Sequence, residues 1–207
     1  MKLVFATGNP GKLREAAEIL GEGFELVTPA EVGITEEIPE TGRTLRANSL
    51  QKADYIYKKT GLDCFADDSG LEVDILGGAP GVETARYAGP DHDAQANMTK
   101  LLAEMARREK EAAMARTNGV STSRATRSAR FRTSVTLILG GERHFFDGVM
   151  EGSIGTEQAG DGGFGYDPIF IPEGYEQTNA QLGEEVKNTI SHRGKALRAM
   201  AEFLKTK

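Results

Sequence analysis

Phe65-Ala66-Asp67-Asp68-Ser69-Gly70-Leu71-Glu72-Val73, the run FADDSGLEV, sets two carboxylates side by side at the end of an apolar stretch, next to a hydroxyl and a glycine. Consecutive residues of a strand point to opposite faces. Asp67 and Asp68 therefore cannot both address one site from a regular strand. One is expected to look into a pocket, while the other anchors backbone or faces away.

Outward from this run the chain reads as alternating strands and helices. Lys2 to Ala6 is expected to be a short buried strand, followed by the turn Thr7-Gly8-Asn9-Pro10-Gly11. Leu13, Ala16, Ala17 and Leu20 follow helical spacing, and a proline in the first turn starts that helix at about Pro10. Phe24 to Val27 reads as a second strand. Thr44 suits the N-cap of a helix carrying Leu45, Leu50, Ala53 and Ile56 toward Lys59, and Gly61 ends it. Asp63 to Asp67 and Leu71 to Leu76 read as two extended segments, closed by Gly77-Gly78-Ala79-Pro80-Gly81. A helix is expected from about Ala94 to Glu109.

Residues 107–128 are rich in Arg, Ser, Thr and Ala with almost no large apolar side chain, which predicts a mobile insertion outside the core. Phe131 to Leu139 and Arg143 to Val149 flank Gly140-Gly141 and predict a β-hairpin. Gly160 to Tyr166 is a glycine-rich loop leading into Asp167-Pro168-Ile169-Phe170. The chain closes on an amphipathic helix with Leu197, Met200 and Leu204 on its apolar side. No repeats occur. Early alternation followed by a hairpin predicts an α/β layer architecture with a mixed sheet.

Composition narrows the classes. A length of 207 residues fits one domain, or one domain with a lobe, and supports a sizeable core. The net charge of −6 argues against broad nucleic-acid binding, so a phosphate ligand needs a local cluster of Lys and Arg. The single cysteine, Cys64, excludes an internal disulfide and a multi-cysteine metal site. Beside Phe65 it reads as a buried strand thiol. The strand-like start KLVFA is not a signal peptide, and no apolar run approaches the ~20 residues of a membrane span. A cytoplasmic protein is expected.

Three segments carry chemistry, each with a plain structural alternative. Thr7-Gly8-Asn9-Pro10-Gly11-Lys12 could cradle phosphate with backbone N–H groups, a hydroxyl and a lysine, or be an ordinary strand-to-helix turn. It is not a P-loop, because Ala6 and Leu13 stand where glycine and Ser or Thr would be required. The aromatics of Gly162-Gly163-Phe164-Gly165-Tyr166-Asp167-Pro168 could stack on a flat base or be the buried rings of a tight corner. Ser191-His192-Arg193, with Lys187 upstream, could hold an anion at a helix start or cap that helix through Ser191. His92 and His144 have no spaced partner for a metal site, and Glu36-Glu37 reads as a solvated face. A carboxylate suited to metal or base work together with a cationic helix start implies nucleotide chemistry.

TGNPGK at 7–12, FADDSGL at 65–71, GGAPGVETARYAG at 77–89, GGFGYDPIF at 162–170 and KNTISHR at 187–193 occur in order. In this the chain resembles the inosine/xanthosine triphosphate pyrophosphatases, enzymes that remove deaminated purine nucleotides, over nearly its whole length except 107–128. The resemblance implies hydrolysis of a nucleoside triphosphate to monophosphate and pyrophosphate with Mg²⁺. It also implies one pyrophosphatase domain over 1–207, an elongated α/β fold with a central substrate cleft between two lobes, and a homodimer. By matching position, Thr7, Gly8, Asn9, Pro10, Gly11 and Lys12 would bind the triphosphate. Asp68 would be the catalytic carboxylate and a metal ligand, with Glu40 the second ligand, Ser69 touching substrate and Lys52 reaching phosphate. Phe164, Gly165, Tyr166 and Asp167 would hold the base, and Lys187, His192 and Arg193 would complete the pocket. The sequence departs from the family between Thr44 and Asn48, where Arg46 and Ala47 replace a customary glutamate. The alternatives are a pyrophosphatase for other modified nucleotides and a nucleotide-binding module that has lost catalysis.

Overall fold

The computed structural model describes residues 1–117 and 127–207. These divide into two compact units: Met1–Ser69 with Arg132–Val149 and Asn188–Lys207, and Gly70–Phe131 with Met150–Lys187.

In the first unit, β1 (Lys2–Phe5) runs parallel to both β2 (Glu25–Val27) and β3 (Cys64–Val73), whose first six residues lie in this unit. Parallel neighbours require crossover connections. These are α1 (Pro10–Leu20), between β1 and β2, and α2 (Leu45–Thr60), ahead of β3. Both helices start on the expected residues because their caps are encoded locally. The Asn9 side chain accepts from the Gly11 and Lys12 N–H groups with Pro10 at the helix start, and the Thr44 hydroxyl accepts from the Ala47 N–H. Pleat alternation then sorts the core. Leu3, Phe5 and Phe65 pack with Ala16 and Leu20 of α1 and with Leu197, Met200 and Leu204 of α6 (His192–Leu204). Val4, Ala6, Cys64 and Ala66 pack on the other side with Ala53 and Ile56 of α2. The Phe5 and Phe65 rings stack at 4.3 Å. Burying such side chains contributes about 1.5–3 kcal/mol each.

The second unit contains β4 (Pro80–Gly81), antiparallel to the end of β3, and β7 (Phe170–Pro172), antiparallel to the end of β6 (Glu142–Ile154). It also holds α3 (Ala94–Thr117), whose Met98, Leu101 and Met105 are buried at helical spacing, and the short α4 (Asn179–Leu182). The start of β5 (Ser128–Leu139) and the beginning of α5 (Glu184–Ile190) complete it. The described strands form one mixed sheet in the order β2-β1-β3-β5-β6-β7, with β4 beside β3, flanked by helices as expected.

Three expectations change. Asp63 to Leu76 is not two extended segments: β3 runs unbroken to Val73, and Asp74–Leu76 is a 3₁₀ turn. Residues 107–117 are not a loop but the continuation of α3. Ala, Arg, Glu, Lys and Met are strong helix formers, and an Arg107–Glu111 pair lies along the exposed face, so a stretch too polar to bury still makes a solvated helix. At the other end Ser128 already belongs to β5. The remainder of the expected insertion, 118–126, lies outside the described residues. The hairpin forms through Gly140-Gly141, both at positive φ, with strands longer than expected at 128–139 and 142–154. No described helix is long and apolar enough to cross a membrane.

Candidate active site

Strand alternation separates the two aspartates as the sequence requires. Asp67 shares the face of Phe65 and points toward α1 and α6. It is 1% exposed and accepts from Lys12 Nζ and Arg193 Nε, both at 3.0 Å. Arg193 also donates to Glu15 of α1 at 2.8 Å. Burial pushes the Asp67 carboxyl up, but Lys12, Arg193 and Lys52 overcome this and hold it well below the usual carboxylate range. Asp67 thus anchors two cations rather than backbone. On the Lys12 side, burial lowers the ammonium pKa despite Asp67, with Arg193 and Lys52 adding repulsion.

Asp68 shares the face of Cys64 and Ala66 and points toward α2. It is half-buried and, among the described residues, its hydrogen-bond donors are neutral: Asn48 Nδ2 on Oδ2 at 3.0 Å and its neighbour's Ser69 N–H on Oδ1 at 3.1 Å. Burial raises its pKa, Lys52 and Asn48 oppose that only in part, and Glu40 adds to the rise. Lys52, buried on α2, forms an ion pair with Glu40. Burial alone would lower the Lys52 pKa, but Asp67, Glu40 and Asp68 reverse the sign and raise it. The Ser69 and Thr133 hydroxyls pair at 2.6 Å.

An under-compensated carboxylate with a second one in electrostatic range fits a hard divalent cation. Among the described residues no cluster of three His, Cys, Asp or Glu side chains exists. A site built on Asp68 and Glu40 would need waters and substrate phosphates as further ligands, the pattern Mg²⁺ adopts. Of the two positions at which the resemblance leads one to expect a glutamate, Arg46 turns away: it pairs with Asp147 at 2.5 Å and lies 5.0 Å over the Phe145 ring. Ala47 sits against Gly42, two residues beyond Glu40.

At the start of α1, Gly8, Asn9, Pro10 and Gly11 are exposed, and Thr7 is buried with its hydroxyl accepting from the Asn9 N–H. The turn is therefore both a capped helix start and an exposed row of backbone. At the start of α6, Ser191 caps the helix by accepting from the Gly194 N–H, and His192 is half-buried. Arg193, expected to face a nucleotide, is 6% exposed and committed to Asp67 and Glu15.

The glycine-rich loop, in the second unit, splits its two aromatics between the two readings. Tyr166 is buried and donates its hydroxyl to the Thr84 carbonyl, which is the tight-corner reading. Phe164 is 64% exposed, with Lys187 Nζ 4.3 Å from its ring centroid. Just after them Asp167 folds back, accepting from the Phe164 N–H at 2.8 Å, from Asn179 Nδ2 at 3.1 Å and from Lys187. Gly165, between Phe164 and Tyr166 in sequence, is half-buried at positive φ.

Three participants were missed in the sequence: Asn48, Glu15 and Asn179. Asn48 is four residues before Lys52, one helical turn, and that spacing could have flagged it. Glu15 and Asn179 carry no local signal.

A model of the Ham1 family matches residues 3–203. A dITP/XTP pyrophosphatase of Porphyromonas gingivalis is 48% identical over 203 residues, covering 98% of this chain and 97% of the relative. One from Bacillus subtilis is 43% identical, covering 97% and 96%. Among solved structures, a HAM1 protein from Coxiella burnetii superposes with a TM-score of 0.88 at 34% identity over the full length of both chains. A nucleoside-triphosphatase, or dITP/XTP pyrophosphatase, from Mycobacterium abscessus gives 0.76 at 42% identity, covering 97% of this chain and 98% of the other.

Proposed function

The chain belongs to the Ham1 family, and from that premise we propose that it hydrolyses deaminated purine nucleoside triphosphates (ITP, dITP, XTP) to the monophosphate and pyrophosphate. The observation that carries the reading is the α2-facing side of β3. There a carboxylate with neutral hydrogen-bond donors, Asp68, stands with the carboxylate Glu40 and the cation Lys52.

Hydrolysis breaks the anhydride bond between the α- and β-phosphates, a water oxygen bonds to phosphorus, and the water's proton must go to a base. Asp68 takes that proton. Asp68 and Glu40 hold the divalent cation, Mg²⁺, which when bound neutralises phosphate charge. Lys52, held in place by burial and Glu40, supplies a positive charge for a phosphate oxygen, and Ser69 lies next to the reacting groups. The Thr7–Lys12 turn, exposed from Gly8 to Gly11, meets the triphosphate through the Gly8 N–H and the Lys12 ammonium, because the Asn9, Gly11 and Lys12 N–H groups are held by the Thr7 hydroxyl and the Asn9 side chain. Arg193 acts from behind, sharing Asp67 with Lys12 and so fixing where that ammonium lies.

In the second unit the exposed Phe164 ring stacks on the base. Asp167 and Lys187 fix the loop that carries the ring, Gly165 leaves backbone accessible to the base edge, and Tyr166 anchors the loop in the core. In the first unit, His192 at the start of α6 binds substrate. Hypoxanthine and adenine present opposite donor and acceptor patterns at the 6-position, so one edge can exclude adenine. Guanine shares the 6-oxo edge, and its 2-amino group must be the feature rejected. A polar mismatch of this kind is worth ~10²-fold or more in kcat/KM.

A cytoplasmic homodimer is part of the proposal, the dimer resting on the family resemblance, and the net charge of −6 argues against nucleic acid as a partner; light scattering on the purified chain tests the dimer. Pyrophosphate release measured with Mg²⁺ across ITP, dITP, XTP, GTP and ATP tests the function. The expected result is high kcat/KM for the first three only. Comparable turnover of GTP and ITP overturns the reading, and binding of ITP without turnover makes the chain a nucleotide-binding module.

A further inference from the structure

Residues 40–42 are stitched to one face of α2 in reverse register. Lys52 pairs with Glu40, Gln51 Oε1 accepts from the Thr41 N–H at 2.8 Å, and Asn48 Oδ1 accepts from the Gly42 N–H at 2.7 Å. Positions i, i+3 and i+4 share a helix face, which is why one helical turn can hold three successive residues of an extended strap. Only the last of these stitches also reaches β3. The same Asn48 carboxamide donates Nδ2 to Asp68 Oδ2 at 3.0 Å.

We propose that Asn48 is the positioning residue of the divalent-cation site, its single carboxamide setting Asp68 and the Glu40 strap at one spacing. The inference rests on the assignment of Asp68 and Glu40 as the ligand carboxylates. Asn48 is 1% exposed, so neither bond is shared with bulk water. The task needs a donor and an acceptor on one short planar group. Aspartate would keep the bond to Gly42 but face Asp68 with a second carboxylate, and alanine would lose both bonds. The approach is also close from the strap's side, since a Cβ at Gly42 would stand 2.7 Å from Asn48 Oδ1. A glycine at 42 is what lets the amide reach its N–H. Groups that orient metal ligands in this way govern affinity without touching the metal.

The test uses the full chain and Mn²⁺ alone as probe, with free Mn²⁺ followed by electron paramagnetic resonance and the Mg²⁺ midpoint of ITP turnover measured alongside. Asn48→Ala is expected to weaken Mn²⁺ binding and raise the Mg²⁺ midpoint by about 10–100-fold, the usual effect of removing an outer partner of a ligand. Ser49→Ala is the control for mere loosening of α2. It removes the buried contact of Ser49 with Thr136, and is expected to lower thermal stability while leaving Mn²⁺ affinity unchanged. A folded Asn48→Ala chain with wild-type Mn²⁺ affinity overturns the proposal, as does an equal loss in Ser49→Ala. If Asn48→Ala does not fold, Gly42→Ala replaces it: pushing the strap off the amide should weaken Mn²⁺ to a similar degree, and unchanged affinity there overturns the proposal. Wild-type chain that binds Mn²⁺ without hydrolysing ITP removes the functional reading and leaves this inference standing. Wild-type chain that binds no Mn²⁺ removes the inference.

Discussion

Asp67→Asn removes the one charge that Lys12 and Arg193 share, and the structure sets the size of the loss. Breaking a buried ion pair from one side costs about 3–5 kcal/mol, because the partner's charge stays buried without compensation. Both partners here have an outlet. The Lys12 side chain is 21% exposed and can turn to water, and Arg193 keeps Glu15 at 2.8 Å. The expected loss is therefore at the low end, about 3 kcal/mol, which for a chain of this size lowers Tm by about 6–12 °C. The pH dependence carries the signature. Asp67 is held below its unfolded pKa of about 3.9, so the unfolded chain binds the extra proton as acid is added. The stabilisation is complete above about pH 5 and is lost progressively as pH falls below 4 toward the folded pKa. Urea unfolding of wild type and variant followed by circular dichroism at about pH 7, 5 and 3.5 should show a gap that narrows only at the most acidic condition. A gap of equal size at all three, or one under about 1 kcal/mol at neutrality, refutes the assignment of Asp67 as a charged anchor.

Asp68→Asn should cost about 10²–10⁴-fold in kcat with little change in the urea midpoint, a division of labour between neighbours that steady-state kinetics beside unfolding curves will resolve. Ala47→Glu, next to the Glu40 strap, should lower the Mg²⁺ concentration for half-maximal pyrophosphate release, whereas Arg46→Glu should not, because Arg46 faces Asp147 and Phe145. Phe164→Ala should raise KM for ITP while leaving Tm unchanged, since the ring is already exposed; a Tm drop instead would make it a packing residue. Burial pushes the Cys64 thiol up to about 12, so a thiol reagent at neutral pH should label it only in denaturant.

Much of this arrangement was legible in the sequence, and for local reasons. The first two helices begin where the sequence places them because Asn9, Pro10 and Thr44 act within their own first turns. The parting of Asp67 from Asp68 follows from the two-residue period of a strand and needs no knowledge of the neighbours. The same local logic failed at 107–117. Low apolar content there reads as a loop, whereas high helix propensity and spaced charges sustain a helix that buries little.

Which face of β3 meets which helix is a different kind of information. Arg193 and Asp67 are 126 positions apart and Arg193 and Glu15 are 178 apart, so nothing in their local sequence ties them together. Asn48 looks like any polar helix residue until packing lays Gly42 and Asp68 on either side of its amide. Tyr166 and Phe164 are both aromatics among glycines, and only tertiary packing buries one and exposes the other. The sequence by itself determined the first two helices with their caps, the hairpin, the parting of the two aspartates and the family, because each is written in spacing over a few residues or in motif order. The tertiary structure alone decided which charges neutralise one another and which carboxylate is left with neutral donors, because that depends on what burial brings within about 4 Å.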